Sequence, residues 1–491
     1  MVNHVQLYKI LNKINYKINK LKIKNTKINS ICTNSKQIKK GDLFISLKSN
    51  KNNQKKYIIE AFKKGAYAII SDTNFKFQSK NLGFIYFKNI KDKILQILIF
   101  YYSELTDLNV AVTGTNGKTS VAWYVYNILL KNKIKSSYLG TLGHYCNNKK
   151  ISDLNLTTPD QCSLFRISNF NSFNGSNIFI FEASSHGLSQ KRILGLPIKI
   201  AAITNITKDH IDYHKNMQNY KKAKLTLFTK YLENSGTAII NSNIKLTNQF
   251  KNVLKNKSIN LITYGSEKSQ IHIIKDKKFY KIKINKNIYK IPNIFYNTYD
   301  SRNFECAIAI CLALKINLKL IIKKLKYIPN PPGRMEKCIK LNNNAKVFVD
   351  YAHTPDALKN ILLSSIIFNN QKSNILFGCG GNRDKSKRQI MGRIAKKYAE
   401  KIYLTDDNPR NEKPEKIISS IFKGCPEAKK ISGRKKAIAI AIKELKRNET
   451  LIIAGKGDEK FQIIGNKKIP FDDIKLANSF IKKLNNEKVK Y

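Results

Sequence analysis

Val110-Ala-Val-Thr-Gly-Thr-Asn-Gly-Lys-Thr-Ser120 is the stretch on which the reading of this chain turns. The apolar run just before the turn, residues 108–112, reads as a buried strand. Residues 121–130 read as a helix. Strand, glycine turn, Lys-Thr and helix, in that order, make a phosphate-binding loop. Gly114 and Gly117 let backbone N–H groups turn in on an anion with no Cβ in the way, flanking Thr115 and Asn116. The helix N-terminus adds partial positive charge. Lys118 reaches the outer phosphates, and the Thr119 hydroxyl, followed by Ser120, is a ligand for Mg²⁺. One position departs from the usual pattern: Val112 stands where a glycine ordinarily opens the loop.

Outward from this loop, strand and helix patterns alternate along the chain. Residues 177–182 form an apolar strand ending in Glu182. Residues 199–205 form another, followed by Asp209, His210, Asp212 and His214. In parallel sheets ligands sit at the C-terminal strand ends, so these groups share an edge with the phosphate loop. Upstream, residues 41–47 and 66–71 read as strands around a helix at 57–65 that Gly65 closes. Downstream of Pro329-Asn-Pro-Pro-Gly333, a linker by composition, strands are expected at 346–350, 374–379, 401–405 and 450–454. Polar loops end each of them: Tyr351 to Asp356, Gly380 to Lys385, Asp406 to Arg410 and Gly455 to Glu459. The expected units are 1–90, 91–333 and 334–491.

A chain of 491 residues is too long for one core. Its net charge, 90 − 33 = +57, raises nucleic acid as a partner. The lysines, however, are spread evenly among Ile and Asn, with no Arg-rich stripe or zinc-finger spacing. A compositional bias explains them, and no nucleic-acid partner is expected. Eight scattered cysteines without a Cys-x-x-Cys pair suit reduced thiols in the cytoplasm. No signal-peptide core or membrane-length apolar run appears, so a soluble cytoplasmic protein without membrane insertion is expected.

Taken singly, most site candidates have two readings. Glu182 and His210 suit a divalent metal beside phosphates, or a salt bridge and a core histidine. Lys224 is one lysine among many. The Asp407-Asn408-Pro409-Arg410 segment is a turn, or a turn whose arginine grips a carboxylate with two prongs. The Gly-rich, basic stretch from Gly378 to Arg388 cradles an anion or is a flexible loop.

The ordered set of motifs is more specific than any member. Thr113-Gly-Thr-Asn-Gly-Lys-Thr119, Thr157-Thr-Pro-Asp160, Glu182-Ala-Ser-Ser-His-Gly-Leu188, Asn205 with Asp209-His210-Ile-Asp212, Pro332-Gly-Arg-Met-Glu336, Asp350-Tyr-Ala-His-Thr-Pro355 and Asp407-Asn-Pro-Arg410 resemble the Mur ligases of peptidoglycan synthesis, over nearly the whole chain. The resemblance implies an α/β protein of three domains: a central P-loop ATPase-like parallel sheet, a small N-terminal α/β domain that binds UDP, and a C-terminal Rossmann-like domain that binds an amino acid. It implies a monomer that uses ATP and Mg²⁺. The implied reaction adds meso-2,6-diaminopimelate to UDP-N-acetylmuramoyl-L-alanyl-D-glutamate (UDP-MurNAc-L-Ala-D-Glu) through an acyl phosphate.

By motif, Gly114 to Ser120, Asn303, Arg334 and Asp350 would bind ATP, with Lys118, Glu182, His210 and Lys224 catalytic. Thr119, Glu182, His210 and Lys224, the last as an N6-carboxylysine carbamate, would hold metal. Ser35, Thr157, Thr158, Ser184, Gln190 and Arg192 would hold the UDP-muramoyl dipeptide. Arg388, Asp407, Asn408, Pro409, Arg410, Gly455 and Glu459 would bind diaminopimelate. The arginine of the Asp-Asn-Pro-Arg loop separates diaminopimelate adders from lysine adders, because it pairs with the distal carboxylate that lysine lacks. The chain departs from the family at Asn34-Ser-Lys36, Ser49-Asn-Lys51, Tyr299-Asp300 and Gly455-Lys-Gly-Asp-Glu459. Competing readings are a lysine-adding Mur ligase, a folylpolyglutamate-type ligase and a basic nucleic-acid-binding NTPase.

Overall fold

The computed structural model describes residues 5–16, 26–47, 51–75, 83–245, 252, 254–255, 257–275, 280–292 and 298–487. Ser49 and Asn50 of the Ser49-Asn-Lys51 loop, and the side chains of Lys51, Tyr299 and Asp300, lie outside the described residues.

The chain builds sheets of four, eleven and six strands. In the eleven-stranded sheet the P-loop strand Leu108–Thr113 lies centrally, between Ile178–Glu182 and Ile198–Ile203, and both pairings are parallel. Alternate residues of these strands face opposite layers. Val110, Val112, Ile180 and Ala202 pack into one core with the helix Lys118–Lys131. Ala111, Phe179, Phe181 and Ala201 pack into the other, beneath the helix Gln161–Phe173. Covering on both faces makes these strands continuously apolar, as parallel strands require. It also explains Val112: the residue is fully buried and pairs with both Glu182 and Ala202, so the strand runs on and the loop opens at Gly114.

The N-terminal sheet is parallel, with Ile31–Cys32, Leu43–Ser46, Ala68–Ser71 and Gly83–Tyr86 in order. The helix at 57–65 starts earlier than its pattern suggests, spanning Lys51–Lys63. Helix Ile90–Tyr101 bridges this unit to the central one. Tyr101 Oη donates to the Ile28 carbonyl (2.8 Å), and Ile31 N donates to Tyr102 Oη (3.3 Å). The C-terminal sheet runs Lys346–Asp350, Thr450–Ala454, Ser373–Phe377, Ala399–Leu404 in parallel order. All four strand-end loops emerge from one edge.

Antiparallel additions were not apparent in the sequence. Gly143–Cys146 and Lys149–Ser152 form a hairpin at one edge of the central sheet. Ile271–Lys275, Tyr280–Ile284 and Asn287–Ile291 extend the other edge. Phe461–Ile464 and Lys467–Pro470 form a third hairpin. The first turns on Asn147-Asn148, both left-handed (φ 46° and 70°), the backbone a two-residue hairpin turn needs. In a chain so rich in asparagine that signal has no contrast.

Candidate active site

The phosphate loop is formed, with glycine where its backbone requires it. Gly114 (φ 146°) and Gly117 (φ 84°) are left-handed. A Cβ on Gly117 would strike Asn303 Oδ1, and one on Gly114 would strike Thr204 Oγ1. The loop is held from the neighbouring strand end. Asn205 Oδ1 accepts from Asn116 N (2.9 Å), and Asn205 Nδ2 donates to the Asn116 carbonyl (3.1 Å). Lys118 Nζ curls over the loop, donating to the carbonyls of Gly114 and Thr115 (both 2.9 Å). Burial lowers its pKa, against the pull of Glu182 and Asp209.

Glu182 is a buried hub. Its Oε1 accepts from Tyr138 Oη (2.7 Å) and Thr141 N (2.8 Å). Its Oε2 accepts from Thr119 Oγ1 (2.9 Å) and Thr141 Oγ1 (3.3 Å). Gly140 makes room for it, since a Cβ there would meet Glu182 Oε1. Tyr138 and Thr141 are functional neighbours that sequence reasoning passed over. Burial, and then Glu182, hold the Tyr138 phenol well above its ordinary pKa, so it remains a donor.

His210 sits at a left-handed position (φ 51°) with Nε2 3.4 Å from Asp209 Oδ2. Burial lowers its pKa to about 4, leaving a neutral imidazole. His186, its ring neighbour at 4.8 Å, is likewise brought to about 4 by burial and by His210. Lys224 is 1% exposed; its Nζ donates to the Gly114 carbonyl (2.7 Å) and lies 4.5 Å over the Tyr220 ring. Burial, then Lys118, drive its pKa well below that of a free lysine. As an unmodified amine it offers a metal no oxygen. Among the described residues no three His, Cys, Asp or Glu side chains converge as a metal site. The donors present, a hydroxyl at Thr119 and a carboxylate at Glu182, are hard oxygens. They suit Mg²⁺ completed by phosphate and water.

The second wall of the cleft comes from the C-terminal unit. Asp350 is buried and accepts from Met335 N and Ala352 N (both 2.8 Å). Arg334 lies over the Tyr351 ring at 4.2 Å, with Nη1 3.4 Å from Asp458. These residues, with His353, face Gly117 to Ser120, Glu182, Asp209, His210 and Asn303 across a cavity of about 260 Å³. Asn116 Nδ2 closes the walls together by donating to Asp356 Oδ2 (3.1 Å).

Thr157 and Ser184 also line this cavity. Thr158 Oγ1 donates to the Glu182 carbonyl (2.8 Å), and Ser184 caps the short helix Ser185–Ser189 through Gly187 N (3.1 Å). Arg192 Nε and Nη2 hold Gln190 Oε1 (3.0 and 2.6 Å) just outside. Ser35 is not in the cavity; its hydroxyl donates to Glu60 (2.8 Å). Its neighbour Gln37 accepts from Ser163 on the helix Gln161–Phe173 (3.2 Å).

The remaining candidates form their own cluster at the C-terminal strand ends. Arg410 is left-handed (φ 52°) and pinned by the Phe461–Ile464 strand: Arg410 N donates to the Ile463 carbonyl (3.0 Å). Of its three guanidinium nitrogens, Nη1 alone has hydrogen-bond partners among the described residues, Gly381 O (2.9 Å) and Asn408 O (3.4 Å). Burial, then Arg383, oppose its charge. Asn408 donates to Glu459 (2.9 Å) and accepts from Lys456 Nζ (3.0 Å), a buried lysine the motif reading did not single out. Gly455 gives Asp407 room, since a Cβ would lie 2.7 Å from Asp407 Oδ2, and Pro409 is buried against Gly381. Arg388 is 3% exposed; its Nη2 donates to both oxygens of Glu412 (3.1 and 3.0 Å), while its buried Nε has no hydrogen-bond partner among the described residues.

The profile of the Mur ligase middle domain matches residues 112–311, and that of the Mur ligase glutamate ligase domain matches residues 333–457. A UDP-N-acetylmuramoyl-L-alanyl-D-glutamate–2,6-diaminopimelate ligase of Rickettsia montanensis is 36% identical over 474 residues, 93% of this chain and 96% of the relative. A solved structure of a ligase so named superposes with a TM-score of 0.64 at 25% identity, over 98% of this chain and 99% of that one. The MurF ligase of Thermotoga maritima in complex with ADP shares the fold, with a TM-score of 0.66 at 16% identity over 94% of this chain and 98% of its own.

Proposed function

The chain belongs to the Mur ligases, and on that premise we propose that it joins meso-2,6-diaminopimelate to UDP-MurNAc-L-Ala-D-Glu in an ATP-dependent reaction. The observation that carries the proposal is the single cleft in which the P-loop and Glu182 face Arg334, Asp350 and His353. Gly114 to Ser120 cradle the ATP phosphates, and Asn303, Arg334 and Asp350 contact the nucleotide. Thr119 and Glu182, with His210 and a carbamylated Lys224, would hold Mg²⁺, whose charge would offset that of the phosphates. The D-glutamate carboxylate attacks the γ-phosphorus, giving an acyl phosphate and ADP. The diaminopimelate amine then attacks the acyl carbon, and phosphate leaves. Lys118 follows the charge on the transferred group. Positioning does most of the remaining work.

Lys224 carries its own argument. Burial, and then Lys118, favour the neutral amine at Lys224, and a neutral amine can add to CO₂ and lose one proton. The carbamate supplies the oxygens the amine lacks. Thr157, Thr158, Ser184, Gln190 and Arg192 hold the muramoyl dipeptide, and Ser35 belongs to the UDP end. Asp407, Asn408, Arg410, Gly455 and Glu459 form the diaminopimelate pocket, where the uncommitted Arg410 nitrogens meet the distal carboxylate. The protein acts as a monomer in the cytoplasm, alongside its nucleotide substrates. Among the described residues no helix is long and apolar enough to cross a membrane.

The test is product analysis. Purified protein with ATP, Mg²⁺, UDP-MurNAc-L-Ala-D-Glu and diaminopimelate is expected to yield the UDP-tripeptide with one ADP and one phosphate per amide. Turnover of folate with glutamate, or ATP hydrolysis driven by nucleic acid, would replace this reading with its competitors.

A further inference from the structure

We propose that the pocket beneath the helix Met217–Thr226 is a second anion site, one that takes a phosphate-bearing small molecule. The pocket measures about 480 Å³, within the size range of small-molecule sites and too large for bare phosphate. Lys191, Lys215, Lys222 and Lys230 line it, and no Asp or Glu does. All four lysines are exposed, and none makes an ion pair with a described residue.

Two further observations mark the pocket as more than a patch of general basicity. Lys191 and Lys215 hold left-handed backbone (φ 56° and 69°), a conformation that persists in non-glycine residues only where the surroundings impose it. Leu188, Ala223 and Tyr231 give the same pocket an apolar side. Phosphate at the lysines, with a carbon skeleton on that side, fits this lining. The pocket shares no lining residue with the nucleotide cleft. Its existence does not depend on the ligase reading.

Pyrophosphate, titrated calorimetrically into the whole protein with the P-loop saturated by a non-hydrolysable ATP analogue, tests the proposal. One saturable site per chain is expected. The double variant Lys222→Gln/Lys230→Gln should weaken it by at least about tenfold, because two charged hydrogen-bond donors are lost. Lys215→Gln gives a second measure and should weaken it in the same direction. Lys435→Gln/Lys436→Gln, an equal charge change on the exposed face of helix Arg434–Lys443, should leave it unchanged. No saturable binding once the P-loop is filled, or equal weakening by both double variants, would overturn the proposal.

Discussion

Glu182 has four hydrogen-bond donors on two oxygens, and their chemistry shows how to remove its charge alone. Tyr138 Oη and Thr141 N both address Oε1, whereas Oε2 meets only hydroxyls, which can rotate to accept instead. Glu182→Gln, with its amide nitrogen at the Oε2 position, therefore keeps the network. Phosphate release should fall on the order of 10²–10³-fold while the melting temperature stays close to that of the parent. Comparable activity in the variant would remove Glu182 from the machinery. The imidazoles give a second prediction. His186 and His210 have folded-state pKa values of about 4 against an ordinary 6.5, so the unfolded chain binds more protons between those limits. Stability is complete above about pH 6.5 and is lost as the pH falls towards 4. Urea midpoints at pH 7 and pH 5 check this, and His186→Asn should flatten the difference. At this scale the sequence held a signal that motif reading did not use. Only ten of the ninety basic residues are arginine, and Arg192, Arg334, Arg388, Arg410 and Arg434 all engage the site or its supports. Where composition favours lysine, an arginine marks a place that needs the planar fork.

Elements explain why those groups are held in place. Gly117→Ala puts a Cβ against Asn303 and a side chain on a left-handed residue, so nucleotide affinity should drop on the order of a hundredfold. Retained affinity for ADP, measured by calorimetry, would show that the loop tolerates another backbone. Beneath the C-terminal loops lies Arg434, fully buried and bidentate on Asp473 (2.9 and 2.6 Å), with further bonds to the carbonyls of Asp406 and Ala454. Arg434→Met leaves Asp473 buried and unpaired and should cost about 3–5 kcal/mol by chemical denaturation. Arg434→Met/Asp473→Leu should recover most of that. The parallel strands beside the P-loop and those of the C-terminal sheet were legible in the sequence because each is apolar on both faces and ends in a short polar motif; Ser136–Gly140, Leu232–Asn241 and Asn260–Tyr264, parallel too, lack that ending and were not read. The hairpins were not. Phe461–Ile464, which pins Arg410, is four residues long and turns on Gly465-Asn466, a pair with no contrast in this composition. The Arg434–Asp473 pair spans 39 residues and bears no local pattern.

Across the whole molecule, the central and C-terminal sheets present their strand ends to each other, and the N-terminal sheet adjoins the central one through Ser163 and Gln37. Tyr351 and His353 line the nucleotide cavity; Tyr351 also packs on Gly457 of the loop from Gly455 to Glu459, and the His353 carbonyl accepts from Lys387 Nζ (2.8 Å), beside Arg388. The two clusters are thus neighbours along one wall rather than separate surfaces. That neighbourhood is what an amide-forming enzyme needs: a carboxylate activated at one end and an amine delivered from the other. The most direct measurement of the account is the initial rate of phosphate release with meso-diaminopimelate and with lysine, for the parent protein and for Arg410→Ala. The account predicts release with diaminopimelate only in the parent, and loss of most of that preference in the variant. Equal or faster release with lysine in the parent, or an unchanged preference in Arg410→Ala, would contradict it.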